Sequence, residues 1–253
     1  MRCAGTNRRQ EAIGGKTRVP TLLVVAVALI LGIVAPQASA KKESEELDVA
    51  RIYFEYNSSD NDLGVHVFLD GEDWVSLRIF NPDGKTIFKV EGREGYEELG
   101  MTELFFEGAE PNLDEVPLED LLEMFPEGEY EFGGRTVDGA DIEGIAILSH
   151  AIPDGPSAST TGVSGSTLVI EWDPATGPPD GFPDEEIVIV GYQVIVESGD
   201  EQLIFQVTLP ATATQVTVPP EFVDALDFGE HDFEVLAIDA SGNQSITEDS
   251  FTK

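Results

Sequence analysis

From residue 48 to residue 251, apolar side chains recur at every second position in runs of five to eleven residues. Clusters of Gly, Pro, Asn and Asp break the runs apart. A period of two sends successive side chains to opposite faces of a pleated strand, so each run reads as a strand with one buried face. Many such strands at short, regular spacing predict an all-β chain built as sandwiches.

In the first half the predicted strands are Val49–Tyr56, Gly64–Leu69, Trp74–Phe80, Thr86–Val90, Thr102–Glu107, Gly128–Val137 and Ile142–Ser149. Asp70-Gly71 and Asn81-Pro82-Asp83-Gly84 read as the turns of hairpins. The period changes once. Leu118, Leu121, Leu122 and Phe125 fall at offsets of 0, 3, 4 and 7, which predicts one short helix over Pro117–Phe125 capping an open end of the sandwich. Ala151–Ser157, with two prolines and a glycine, reads as a linker. Beyond it lie seven further strands: Ala158–Val163, Ser166–Trp172, Ile187–Glu197, Leu203–Leu209, Thr212–Val218, His231–Asp239 and Gln244–Phe251. The expected domains are 46–153 and 156–253.

The first forty residues belong to neither domain. Five basic residues precede Leu22–Ala35, a 14-residue apolar run. That is too short for the about 18 residues that span a bilayer, and it fits the core of a signal peptide. Ala38-Ser39-Ala40 then places small residues where a signal peptidase needs them, so residues 1–40 are expected to be a signal peptide cleved before Lys41. The expected product is exported, secreted or periplasmic, and free of the membrane after cleavage. The single cysteine, Cys3, precedes the apolar run, so the expected mature chain has no disulfide and is held together by packing alone.

The whole chain carries a net charge of −35. Removing residues 1–40 takes away five of 14 basic residues and one of 49 acids, leaving −39. Such a surface repels nucleic acid and anionic lipid. The acids run from Glu43 to Asp249, a distribution that reads as a solvated acidic surface.

Residues from about Gly155 to Lys253 resemble a fibronectin type III domain. The resemblance rests on four features in order: Leu168-Val169-Ile170-Glu171-Trp172, with Trp172 at the family's core tryptophan; Gly191-Tyr192-Gln193-Val194; alternating Phe233, Val235 and Ala237; and the turn Asp239-Ala240-Ser241-Gly242-Asn243. The family's corner tyrosine is replaced by His231, which the resemblance implies is a structural corner residue. Gly128-Glu129-Tyr130-Glu131-Phe132 echoes Gly229-Glu230-His231-Asp232-Phe233 at an offset of 101 residues. Tyr130 would be the corner tyrosine of an immunoglobulin-like first half. This first half also looks similar to a family of uncharacterised secreted bacterial proteins with the same two-part layout, a resemblance that supplies no activity.

Catalytic motifs are weak. Gly14-Gly15-Lys16-Thr17 ends like a phosphate loop but lacks its first glycine, and Gly162-Val163-Ser164-Gly165 is one residue short of a nucleophile elbow. His66, His150 and His231 have no metal-ligand spacing and read as lone surface or corner histidines. Asp60, Asn61 and Asp62 within Asn57–Gly64 offer oxygens to calcium but fail the EF-hand pattern, and the plainer reading is a polar turn. The expected function is therefore a non-enzymatic binding or scaffolding protein with no cofactor and with a protein or polysaccharide partner. One rival is a calcium-dependent carbohydrate- or surface-binding module using exposed aromatics such as Tyr53 and Trp74. The other is an enzyme with an unrecognised first domain.

Overall fold

The computed structural model describes residues 44–200 and 202–253. The predicted leader and its cleavage residues Ala38, Ala40 and Lys41 lie outside the described residues. Among the described residues, no helix is long and apolar enough to cross a membrane.

The protein is all-β. Its first half runs β1 (Glu45–Glu46), β2 (Val49–Asn57), β3 (Asp62–Phe80), β4 (Thr86–Glu91), α1 (Gly95–Leu99), β5 (Met101–Glu107), α2 (Leu118–Met124), β6 (Gly128–Thr136) and β7 (Asp141–Leu148). Its second half runs β8 (Ser157–Thr160), β9 (Leu168–Asp173), β10 (Ile189–Glu197), β11 (Ile204–Pro210), β12 (Gln215–Val218), α3 (Pro220–Ala225), β13 (Glu230–Asp239) and β14 (Gln244–Thr252).

Strand β3 organises the first half. Its leading segment pairs with β2 from Asn57↔Asp62 to Val49↔Asp70, and with β5 from His66↔Glu107 to Asp70↔Glu103. Its trailing segment pairs with β4 and β6 instead. Register slips between Asp70 and Trp74 against β5, and between Trp74 and Ser76 against β6, mark where the strand passes from one set of partners to the other. Bulges bend a strand in this way and let it serve two layers. The Asp70-Gly71 turn is thus corrected to the interior of one long bent strand. Gly71 is there for close approach rather than for reversal, because a Cβ on it would stand 2.8 Å from Leu47 Cδ2. Inward residues of both segments, among them Val67, Leu69, Leu77 and Ile79, share one core with Phe54, Trp74 and Phe132. Helix α2 buries Leu121 against that core, with Leu118, Leu122 and Phe125 packed beside it, as the helical spacing predicts. Beside the expected helix α2, the described residues hold two more, α1 in the first half and α3 in the second, each too short to carry a readable period.

The second half is a seven-strand sandwich of the fibronectin type III-like kind. Strands β12, β9 and β8 form one sheet, and β11, β10, β13 and β14 lie in order in the other. Its core holds Trp172, Tyr192, Val194, Phe233, Val235 and Phe251, with Trp172 against Tyr192 at 5.4 Å between ring centroids. The corner residues behave alike in both halves. Tyr130 Oη donates to the Pro126 carbonyl at 3.0 Å, and His231 Nε2 donates to the Asp227 carbonyl at 2.9 Å, each four residues upstream. His231 Nδ1 accepts from the Gly199 N–H at 3.0 Å, which fixes the tautomer that donates through Nε2.

The halves share a sheet. Strand β14 pairs in parallel with β2 through Gln244↔Glu55, Ser245↔Tyr56 and Ile246↔Asn57. The Ala151–Ser157 linker is stitched into this seam. Ala151, Ile152 and Pro153 are buried, and Asn243 Nδ2 donates to the carbonyls of Ser149 and Ala151 at 2.8 and 2.9 Å. Ser245 Oγ donates to the Pro153 carbonyl.

Candidate functional site

Two features of the first half have chemical content, one on each face of the β2–β3–β5 sheet. On the inner face lies a cavity of about 410 Å³. Its floor is Phe54, Leu63, Val67 and Ile79, and its rim includes the partly exposed Ile87 and Met124. The alternation of β2 and β3 sends these side chains inward, and α2 stands across the open end. None of the side chains lining the cavity is titratable or nucleophilic. A volume of this size is within the range of small-ligand pockets.

The outer face of the same strands carries Tyr53, Glu55, His66 and Glu107. His66 is buried, which corrects the reading of a lone surface histidine. Its Nε2 stands 3.2 Å from Glu110 Oε1 and 3.6 Å from Glu55 Oε1. Tyr53 and Phe105 flank the imidazole, with ring centroids at 5.2 and 5.8 Å. Gln244 Nε2 donates to the second oxygen of Glu55. Burial pushes Glu55 above the usual carboxylate range, while His66 and Gln244 pull it back. Burial also pushes the Tyr53 hydroxyl up to about 12, with Glu55 adding to it. Sequence spacing missed this cluster because Glu55, His66 and Glu110 come from separate segments, and only strand register brings them together.

The acidic face continues across the seam. Glu234 on β13 stands opposite Glu248 on β14. Burial first, then the charges of Glu248, Glu197, Glu55 and Asp232, push Glu234 up to about 7 from an ordinary 4.5. A carboxyl raised on folding stabilises the fold fully below pH 4.5, and that contribution is lost as pH rises through 7. Allowing for solvent screening of a partly exposed group, the loss is about 1–2 kcal/mol. Glu234→Gln is expected to raise the melting temperature by about 4 °C at pH 8 and to leave it unchanged at pH 4. An equal gain at both pH values would show that charge is not the cause.

The other predicted residues lie elsewhere. Within Asn57–Gly64 the turn is residues 58–61, between the end of β2 and the start of β3; Asn57 Oδ1 accepts from the Ser59 and Asp60 amides, and Asn61 Oδ1 accepts from Tyr56 Oη at 3.3 Å. Burial, then Glu110 and Asp60, raise the Asp62 carboxyl. Among the described residues, the acid and histidine side chains whose donor atoms converge within 4.8 Å are Glu55, His66 and Glu110, not Asp60 and Asp62. Trp74 is fully buried and Tyr53 half-buried, so the expectation that both are exposed for sugar stacking is corrected. His150 Nε2 donates to the Phe125 carbonyl at 2.9 Å and serves the α2 end of the core.

No family model matches the chain, and no curated protein matches it. Among solved structures, the chain aligns with a two-domain fibronectin type III segment of chicken tenascin at 11% identity and a TM-score of 0.31, covering 82% of this chain and 99% of that one. It aligns with a bacterial ice-binding adhesin of 1.5 MDa at 15% identity and a TM-score of 0.29, covering 83% and 65%. With the Clostridium perfringens spore cortex lytic enzyme SleM the identity is 19% and the TM-score 0.30, over 40% of this chain and 28% of that one, so the chain spans little more than a quarter of the enzyme. Superpositions this loose carry no weight for function, and the fold rests on the sheets, registers and cores described above.

Proposed function

We propose that the chain is a non-enzymatic, exported binding module, with a ligand-binding sandwich at residues 46–153 and a fibronectin type III-like spacer at residues 156–253. The observation that carries this reading is the apolar cavity of about 410 Å³ between α2 and the inner face of β2 and β3. Sealed and dry, a void of that volume would cost on the order of 10 kcal/mol, comparable with the whole stability of a domain. An open mouth lowers that figure, and a ligand with an apolar body recovers the lost contacts. The absence of titratable side chains from its lining fits binding better than catalysis.

Charge narrows the ligand class. Helix α2, which forms one rim, carries Glu119, Asp120 and Glu123 and no basic residue. An anionic head group is disfavoured there, so the ligand is a neutral or cationic amphiphile, or a neutral apolar small molecule. The test is a fluorescence titration with the neutral probe N-phenylnaphthylamine. Wild type is expected to give saturable enhancement. Ala109→Trp, which places an indole at the exposed mouth, is expected to weaken binding at least tenfold while the fold is kept. Unchanged binding in that variant, or no enhancement in wild type, would refute the cavity as the site.

A further inference from the structure

We propose that Glu55, His66 and Glu110 form a binding site for a divalent transition-metal cation of the zinc class, on the face of the sheet opposite the apolar cavity. The site follows from strand register. Glu55 on β2 pairs with Gly64 on β3, and His66 lies two residues further along the same outward face. Gly64 leaves a hole in that face. A Cβ there would stand 2.4 Å from Glu110 Oε1, so only a glycine admits the Glu110 carboxylate to the imidazole. The three donor atoms lie within 4.8 Å of one another. Two of the separations, 3.2 and 3.6 Å from His66 Nε2, bracket the roughly 3.4 Å between donors around a tetrahedral cation with bonds of about 2.1 Å.

The donor set also selects the ion. One imidazole nitrogen and two carboxylates suit zinc and its neighbours, whereas calcium and magnesium take oxygen alone. Gln244 holds the second oxygen of Glu55, the kind of outer contact that orients a ligating carboxylate. Nε2 carries at most one N–H, which cannot point at both carboxylates, whereas a cation at the centre accepts a lone pair from each of the three donors. A divalent cation with a neutral imidazole brings the trio to zero. Three protein ligands leave a fourth position for water or an exogenous ligand.

The test uses the full chain stripped with EDTA, then titrated calorimetrically and melted with zinc chloride. Calcium chloride, magnesium chloride and sodium chloride at matched ionic strength serve as controls. The expected result is one zinc site, and a rise in melting temperature of about 5–10 °C at a hundredfold excess over Kd that the other salts do not reproduce. His66→Gln is expected to abolish the site. Should that buried substitution fail to fold, Glu110→Gln on the more exposed partner decides the matter, with at least tenfold weaker zinc binding and an unchanged metal-free melt. Gln244→Ala is expected to weaken binding about tenfold through the orientation of Glu55, and Glu248→Gln to leave it unchanged. A zinc effect no larger than that of calcium, or undiminished zinc binding in Glu110→Gln, would overturn the proposal in favour of diffuse cation uptake by the acidic surface.

Discussion

Asn243→Ala is expected to lower the melting temperature by about 10 °C and to split one unfolding transition into two. Asn243 sits in the turn between β13 and β14, is 1% exposed, and joins three segments. Its Oδ1 accepts from the Phe54 N–H at 2.8 Å, and its Nδ2 donates to the carbonyls of Ser149 and Ala151. Removing the amide leaves the buried Phe54 N–H without its acceptor and the Ser149 carbonyl without its donor. The Ala151 carbonyl keeps only the longer bond from Ser241 Oγ, at 3.3 Å. Each buried group left unsatisfied costs about 1–3 kcal/mol, so the total is about 3–5 kcal/mol. What remains across the seam is the three-residue pairing of β14 with β2, the bond from the Ser58 N–H to the Ile246 carbonyl, the side-chain bonds that join Glu55, Asn57, Ser58 and Ser59 to β14, and the packing of Phe182 on Tyr56. Each half keeps its own core and its own tryptophan, Trp74 in the first and Trp172 in the second. Melts followed in Trp74→Phe and Trp172→Phe backgrounds should coincide for the parent and diverge for Asn243→Ala. Coincident melts in the variant would mean that Asn243 does not couple the halves.

Gly134→Ala is expected to cost about 3 kcal/mol, read as a lower urea midpoint with an unchanged slope. Gly134 lies on β6 opposite Leu77, just beyond the slip that carries β3 between its partners. A Cβ there would stand 2.1 Å from the Ser76 carbonyl oxygen and 3.0 Å from Ile142 Cγ2. The nearest obstacle is backbone, so the strands must part. Gly139→Ala is the comparison. Its φ of +85° disfavours a side chain, but nothing lies within 4 Å, and the expected cost is only about 1 kcal/mol. Equal losses at the two sites would refute the close packing of β6 on the bend of β3.

These sites show what sequence patterning can and cannot resolve. Period-two alternation located nearly every strand, and the echo around Tyr130 and His231 anticipated two corners that bond alike, because both signals are local in the chain. The bend of β3 was misread at Asp70-Gly71. The dipeptide that suits a turn also suits a strand that needs a bare backbone beside Leu47, and only the neighbour distinguishes the two. The cavity was invisible because the strand residues of its floor, such as Phe54, Leu63, Val67 and Ile79, read as ordinary core. The Glu55–His66–Glu110 cluster was hidden among 49 acids, and its one local clue, Gly64, acquires meaning only beside a carboxylate 46 residues further along the chain.

In the proposed function the first half takes an apolar ligand between α2 and its inner strands. Methyl NMR of isoleucine-, leucine- and valine-labelled protein, titrated with N-phenylnaphthylamine, tests it most directly. Saturable shifts are expected at Ile52, Leu63, Val67 and Ile79, which line the cavity, and none at Val194 or Val235 in the second core. Shifts confined to the exposed Ile145 and Ile147, or no shift up to the solubility limit of the probe, would contradict it.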